Sequence, residues 1–442
     1  MFRAFFISGM LGLGFSLGAC AATVDISPVP SAGVTTDGIA QWRGIEYATA
    51  ARWGLPTVNP DWETADFIKD GPACPQDGQA EMVEDCLFLN VFAPEVKATD
   101  LPVMVWFHGG GMRAGQGGDG PKNFTRDGII VVTFNYRLGK LGFMDWPGWN
   151  EDDPRNFGQA DMVAALDWVQ SNIARFGGDP TNVTIAGHSA GGMGVQLMMV
   201  DPRAEGKFAR AWAHAGYAAW PFPKAYNPSD AQRQLIKYGP LPTLASAAEL
   251  VAQTPHYHLP YIDAPYLREQ PIDIFQSGRA HWVPYVAGAN SMDGAGTLQG
   301  AGYTPAAFLQ RIDSPEIRAA YTEDFAVSDA QASQRIFGDL RYWRSSALSA
   351  AATDGYLFYY DARKENAPGA YHGQQYDQMF GADNFPMKTA LLNFIQTGEP
   401  GWPKGEQGKM AVFNPALSLA DIDNPKLEQK MDALRNAVKA LP

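Results

Sequence analysis

Apolar positions along this chain fall into two alternating patterns. Residues 103–108 (VMVWFH) and 129–135 (IIVVTFN) are unbroken runs rich in β-branched and aromatic side chains, as expected of strands buried on both faces. Across residues 161–176, Val163, Leu166, Val169 and Ile173 recur at helical spacing, and Gly177-Gly178-Asp179-Pro180 stops the pattern. Residues 183–187 form another strand-like run, and further strands are expected at 209–214, 282–288 and 356–361. Strands separated by helices or loops predict an α/β fold: a central, mostly parallel twisted sheet flanked by helices. Segments 217–280 and 295–350 fit this rhythm least well and are expected to lie over the sheet as excursions. No internal repeat, low-complexity tract or linker interrupts the order, so residues 23–442 read as one domain.

Composition narrows the function classes. Hydrophobic residues are 46% and charged residues 18% of the 442, too apolar for a disordered chain. The balance of 34 Lys+Arg against 47 Asp+Glu, a net charge of −13, leaves no cationic surplus to displace phosphate counterions, so nucleic-acid binding is not expected.

Residues 1–19 read as an export signal, with Arg3 ahead of a short apolar stretch over residues 4–17. Leu17-Gly18-Ala19-Cys20 looks like a bacterial lipobox, which would make a lipid-anchored Cys20 the first mature residue; ordinary cleavage in the Ala19-Cys20-Ala21 run is the alternative. Both place the chain in an oxidising compartment: periplasmic, anchored at the outer membrane, or secreted. The remaining cysteines, Cys74 and Cys86, are then expected to form one disulfide closing a short loop, worth roughly 3 kcal/mol. Two buried free thiols are the alternative. A zinc set is not, because no further Cys or His pair stands near them.

The chemistry-bearing motif is Gly187-His188-Ser189-Ala190-Gly191, a G-x-S-x-G between a predicted strand and a helix. A serine hydroxyl is a weak nucleophile unless a base takes its proton and the backbone presents it outward, and a sharp strand-to-helix turn does the presenting. Around it, Gly44-Ile45-Glu46-Tyr47-Ala48, Gly71–Gln76 (GPACPQ), Glu84–Asn90 (EDCLFLN), His108-Gly109-Gly110-Gly111, Asn135–Gly139 (NYRLG) and Phe176–Pro180 (FGGDP) occur in order, with Asn393-Phe394, Thr397-Gly398 and Trp402-Pro403 near the end. With these motifs the chain resembles the type-B carboxylesterases, α/β-hydrolases that include cholinesterases and bacterial para-nitrobenzyl esterases. The Cys74/Cys86 pair coincides with that family's N-terminal disulfide.

The resemblance implies a single α/β-hydrolase catalytic domain whose triad follows the order Ser, acid, His. Asp293, in Gly288–Gly294 (GANSMDG), falls where the family usually has Glu; His372, in Gly369–Gly373 (GAYHG), falls on the base. Asp is one methylene shorter, so its loop must sit closer to the histidine or the link weakens. Gly110, Gly111 and Ala190 are expected to donate backbone N–H groups to the oxyanion. The implied enzyme is a serine carboxylic-ester hydrolase working through an acyl-enzyme on neutral, fairly hydrophobic small-molecule esters, with no cofactor or metal. The alternatives are a non-catalytic binding member, or a triad hydrolase specialised for a thioester, amide or polyester.

Three positions depart from the family. His188 replaces the usual Glu before the nucleophile, Gln375 replaces a second buried acid, and His214-Ala215-Gly216 lacks a hydroxyl that helps hold the triad acid. Losing two carboxylates removes negative potential from the pocket, so no preference for choline-like alcohols is expected. His188 is expected either to meet the substrate or to make a structural contact. The chain is also short in both excursions, which implies a wider or shallower entrance. Met112, Trp146, Trp220 and Phe222 fit a pocket rim or the ordinary core equally well.

Overall fold

A computed structural model describes residues 33–440, apart from 63–66, 96–97, 146–148, 150–151, 225–244, 264–265, 382–384, 415 and 423–424. Cys20 and Trp146 lie outside the described residues. Its centre is an eleven-stranded sheet. In chain order the strands are β1 (Val34–Thr36), β2 (Ile39–Glu46), β3 (Phe88–Pro94), β4 (Leu101–Phe107), β5 (Ile130–Phe134), β6 (Gly178–His188), β7 (Arg210–His214), β8 (Tyr285–Asn290), β9 (Tyr356–Tyr360), β10 (Lys409–Asn414) and β11 (Ala416–Asp421). Their spatial order is β1-β2-β3-β5-β4-β6-β7-β8-β9-β10-β11. From β5 through to β10 all neighbours are parallel, while the outer strands pair antiparallel.

The continuous apolar runs are explained by cover on both faces. In β4, Val103, Val105 and Phe107 enter one core together with Met162, Leu166 and Val169 of helix α1 (Phe157–Asn172). Met104 and Trp106 enter the other, with Leu391 and Phe394 from the helix Pro386–Thr397. Each fully buried Leu, Val or Phe contributes about 1.5–3 kcal/mol, so both faces carry stabilisation.

Most predicted elements are present with shifted ends. Helix α1 begins four residues earlier than the spacing suggests; its last predicted turn is a 3₁₀ segment, Ile173–Phe176, capped by Gly177 in the left-handed region. Gly178-Asp179-Pro180 is not only a stop: it opens β6, with Gly178 opposite Leu101. The strand expected at 282–288 starts at Tyr285 instead, because Trp282 is 78% exposed and Pro284 precedes the first ladder residue. The excursions supply helices, among them Asp329–Gly338 and Arg344–Ala352, and among their described residues no strand of the central sheet. Strands β4, β6 and β8 end at Phe107, His188 and Asn290, which gathers the segments that follow them at the carboxyl edge of the sheet, where open α/β folds bind ligands.

Candidate active site

Ser189 occupies the single residue between β6 and helix α2 (Ala190–Val200), at φ 59° and ψ −121°. A non-glycine residue seldom holds a positive φ, and surrounding contacts must impose it. They do: Ser189 N donates to His214 O at 2.9 Å, and Ser189 O accepts from Met193 N at 2.9 Å. A Cβ on Gly191 would stand 1.9 Å from Phe107 O, and one on Gly187 would stand 2.5 Å from the Gly191 carbonyl carbon. The flanking glycines of the motif are therefore a steric requirement of the turn.

The His108–Gly111 turn follows β4. Gly110 and Gly111 have φ of 112° and 66°. Gly109 O accepts from His108 Nδ1 at 2.9 Å, and Gly110 O accepts from Ala114 N at 3.0 Å. Since a trans peptide points its N–H opposite its C=O, the amides of Gly110 and Gly111 are turned away from those partners. The Ala190 amide likewise points back from the start of α2, because the Ser189 carbonyl faces along the helix. Behind this turn, Gln76 bonds both to Gly115 N (2.8 Å) and to Gly115 O (2.9 Å). Gln76 belongs to the loop closed by the Cys74–Cys86 disulfide, which is formed as expected.

The other half of the site is assembled by side chains. Asp293 is fully buried; its Oδ1 lies 2.7 Å from His372 Nδ1, and its Oδ2 accepts from Asn290 N at 2.7 Å. The Asp293 loop lies directly against the His372 loop. The Met292 and Tyr371 segments bridge in parallel, and Met292 N bonds to Ala370 O at 2.9 Å. Asn290 is the hub: its Nδ2 donates to Tyr371 O and to Gln375 Oε1, each at 2.7 Å, and its Oδ1 accepts from His214 Nε2 at 2.7 Å. At His214-Ala215-Gly216 there is no hydroxyl to reach the acid, and the second Asp293 oxygen is held by the Asn290 main-chain N–H. With Nδ1 on the carboxylate, the free nitrogen of His372 is Nε2, the position a base needs.

Ser189, His372, Gly110 and Gly111 line one cavity of about 410 Å³, with Trp106, His108, Gly109, Gly115, His188, Tyr257, Gly373, Tyr376 and Phe380. Among the described residues no hydrogen bond joins the Ser189 and His372 side chains; such bonds commonly tighten only with substrate bound. Among the described residues no Asp, Glu, Lys or Arg lines this cavity. Burial holds His108 down to about 4, so it is neutral at working pH. Burial, reinforced by the neighbouring His372 and His214, also holds His188 well below the usual imidazole range.

Met112, Trp220 and Phe222 are buried in the core and absent from the cavity lining. The residues unread in the sequence are Trp106, Tyr257, Tyr376 and Phe380; of these, Tyr376 had a signal, standing four residues past His372. His188, Asp293 and His372 offer ligand atoms all within 4.8 Å of one another. Ligands about 2.1 Å from a tetrahedral zinc stand about 3.4 Å apart, whereas Asp293 Oδ1 and His372 Nδ1 are at the 2.7 Å of a hydrogen bond.

A parallel sheet with a serine at a strained strand–helix turn, beside a carboxylate-bound histidine, defines an α/β-hydrolase. Residues 30–402 match the model of the carboxylesterase family. The chain is 30% identical to the para-nitrobenzyl esterase of Bacillus subtilis (strain 168), an alignment covering 90% of this chain and 96% of that one. It is 31% identical to the fumonisin B1 esterase of Sphingopyxis macrogoltabida, covering 78% and 72%. A solved para-nitrobenzyl esterase structure superimposes with a TM-score of 0.76 at 27% identity, covering 90% of this chain and 97% of that one. The chain belongs to the carboxylesterase family, and it is a serine ester hydrolase acting on small-molecule esters. Among the described residues no helix is long and apolar enough to cross a membrane.

Proposed function

We propose that Ser189, His372 and Asp293 are the nucleophile, base and acid, and that the amides of Gly110, Gly111 and Ala190 form the oxyanion hole. The observation that carries this reading is the 2.7 Å His372–Asp293 bond in the cavity that also holds the strained Ser189. His372 Nε2 takes the Ser189 proton as Oγ attacks the ester carbonyl carbon. The carbonyl electrons move onto oxygen, facing the three amides, and return to expel the alkoxide, which receives the proton from His372. Water, deprotonated by His372, then cleaves the acyl-Ser189 ester and regenerates the serine. Asp293 fixes the tautomer and stabilises the imidazolium.

Neutral, fairly hydrophobic esters suit a lining whose described residues include no ionic side chain and whose wall is aromatic at Trp106, Tyr376 and Phe380. A relative named for para-nitrobenzyl esters supports an aromatic alcohol half among those accepted. Matched choline and isosteric neutral esters are expected to turn over equally well; a strong choline preference would contradict this. Residues 23–442 are proposed as one catalytic domain, exported with Cys20 as a lipid anchor, which intact mass of the mature N-terminus would test.

The direct test is active-site labelling. An organophosphate should phosphorylate Ser189 stoichiometrically, and Ser189→Ala should lose both label and turnover while keeping its melting temperature. Asp293→Asn should keep the label slowly and lose about 10⁴ in kcat. Stoichiometric labelling of Ser189→Ala would place the nucleophile elsewhere.

A further inference from the structure

His372 is fixed at Nδ1 by one bond to Asp293, and a single bond leaves the ring free to rotate about that contact. Two aromatic side chains lie against it: Tyr342, with ring centroids 5.0 Å apart, and His188, 4.4 Å apart and tilted 41°. His188 is itself held. Its strand places it opposite His214 on β7, with the two rings 5.2 Å apart and edge-on. Its Nδ1 lies 2.8 Å from the Tyr376 hydroxyl. A phenol is the stronger acid of the two, so the hydroxyl donates and the neutral ring accepts. Tyr376 opens the short helix Tyr376–Phe380, four residues beyond His372. The segment carrying the base is thus fastened to the residue next to the nucleophile.

We propose that His188 and Tyr376 are a positioning pair for His372: the Tyr376 hydroxyl fixes the His188 ring, and that ring sets the tilt of the base toward Ser189 without placing a second charge beside it. The pair rests on the triad reading and adds what the triad lacks, a constraint on rotation. A misplacement of the base by about 1 Å costs on the order of a hundredfold in rate. The titratable groups facing this cluster are Asp293 from the segment after β8, His214 from β7, Tyr342 from the turn Asp339–Trp343, and Tyr376 itself. Among the described groups Asp293 is the carboxylate that answers the imidazolium formed in the transition state.

The experiment compares Tyr376→Phe, His188→Leu, His188→Gln and His188→Glu on one neutral chromogenic ester across pH, with melting temperature and mass-mapped organophosphate labelling for each. Tyr376→Phe and His188→Leu should lower kcat about tenfold with KM within about twofold. His188→Gln should recover most of that loss, because an amide oxygen can accept the Tyr376 hydroxyl and Leu cannot. His188→Glu should move the acid limb of kcat/KM to higher pH, since a carboxylate beside His372 favours its protonated form. Equal rates for His188→Gln and His188→Leu, or a Tyr376→Phe variant that loses melting temperature but neither kcat nor pH profile, would reduce the pair to packing and overturn the proposal. Should the His188 variants not fold, Tyr376→Phe, which removes a single oxygen, carries the test. An adduct found away from Ser189 would sink the triad assignment, and the pair with it.

Discussion

The two sides of the cavity that Ser189 and His372 line are held by different means. On the Ser189 side the main chain does the holding: β6 ends, one strained residue turns, α2 begins, and glycines stand wherever a Cβ would strike backbone. On the His372 side the main chain supplies two loops, and side chains lock them together through Asn290, Ser291 and Arg335. Ser291 Oγ bonds Asp361 and accepts from Ala370 N at 2.8 Å, while Arg335 bonds Ser291 O and, at 2.9 Å, Pro368 O. Steric constraints are all-or-none; hydrogen-bond networks weaken by increments. Ser189 is therefore expected to tolerate almost no change around it, whereas changes around His372 and Asp293 should lower activity by degrees.

The sharpest way to break the comparison is Gly191→Ala. Its Cβ would meet Phe107 O at 1.9 Å, a strand backbone atom that cannot yield, so a loss of about 4 kcal/mol or more is expected. Chemical denaturation should show it; a variant as stable as the parent would refute the steric account. Asn290→Ala should cost less, about 2–3 kcal/mol, because it strands the buried Gln375 Oε1 and His214 Nε2. The Asn290 amide still holds Asp293, so kcat should fall about ten- to a hundredfold rather than vanish. Loss as large as that of Asp293→Asn would show the network to be as brittle as the elbow.

Acid should separate the two sides least. Burial holds His108 and His214 near about 4, against about 6.5 in the unfolded chain. Between those values the unfolded state binds more protons. The stability these neutral rings contribute is thus complete above pH 6.5 and declines as pH falls toward 4. Each is expected to cost about 3 kcal/mol over that window, one on either side of the cavity. Thermal melts from pH 7.5 to 4.5 should fall steadily, and a flat profile would contradict the burial of these rings as neutral species.

Much of the molecule was readable before any coordinates because it depends on local rules. The strands around Val105 and Val132 announce themselves by unbroken apolar runs, and Gly187 to Gly191 by the turn that only small residues permit. Asp293 and His372 were readable by resemblance, in order and context, although the Asp-for-Glu exchange left open how far the acid could reach. Unread were β1, β2, β3, β10 and β11, the strands that extend the parallel sheet at its two ends, and the aromatic wall at Trp106, Tyr376 and Phe380. Trp106 looks like any inward residue of a buried strand, and only the neighbouring chain decides whether core or cavity lies beyond it.

By itself, then, the sequence determined the alternation of the central strands with helices, the strained serine turn, the glycine turn after β4 and the Cys74–Cys86 bridge, since each follows from sterics or chemistry within a few residues. The tertiary structure alone decided that the Asp293 carboxylate sits 2.7 Å from His372, that its second oxygen accepts from Asn290 N, and that His188, in the cavity wall, meets the Tyr376 hydroxyl. Those contacts join residues up to 188 apart along the chain, and nothing local in a polymer encodes which distant side chains a folded sheet will bring within hydrogen-bond range.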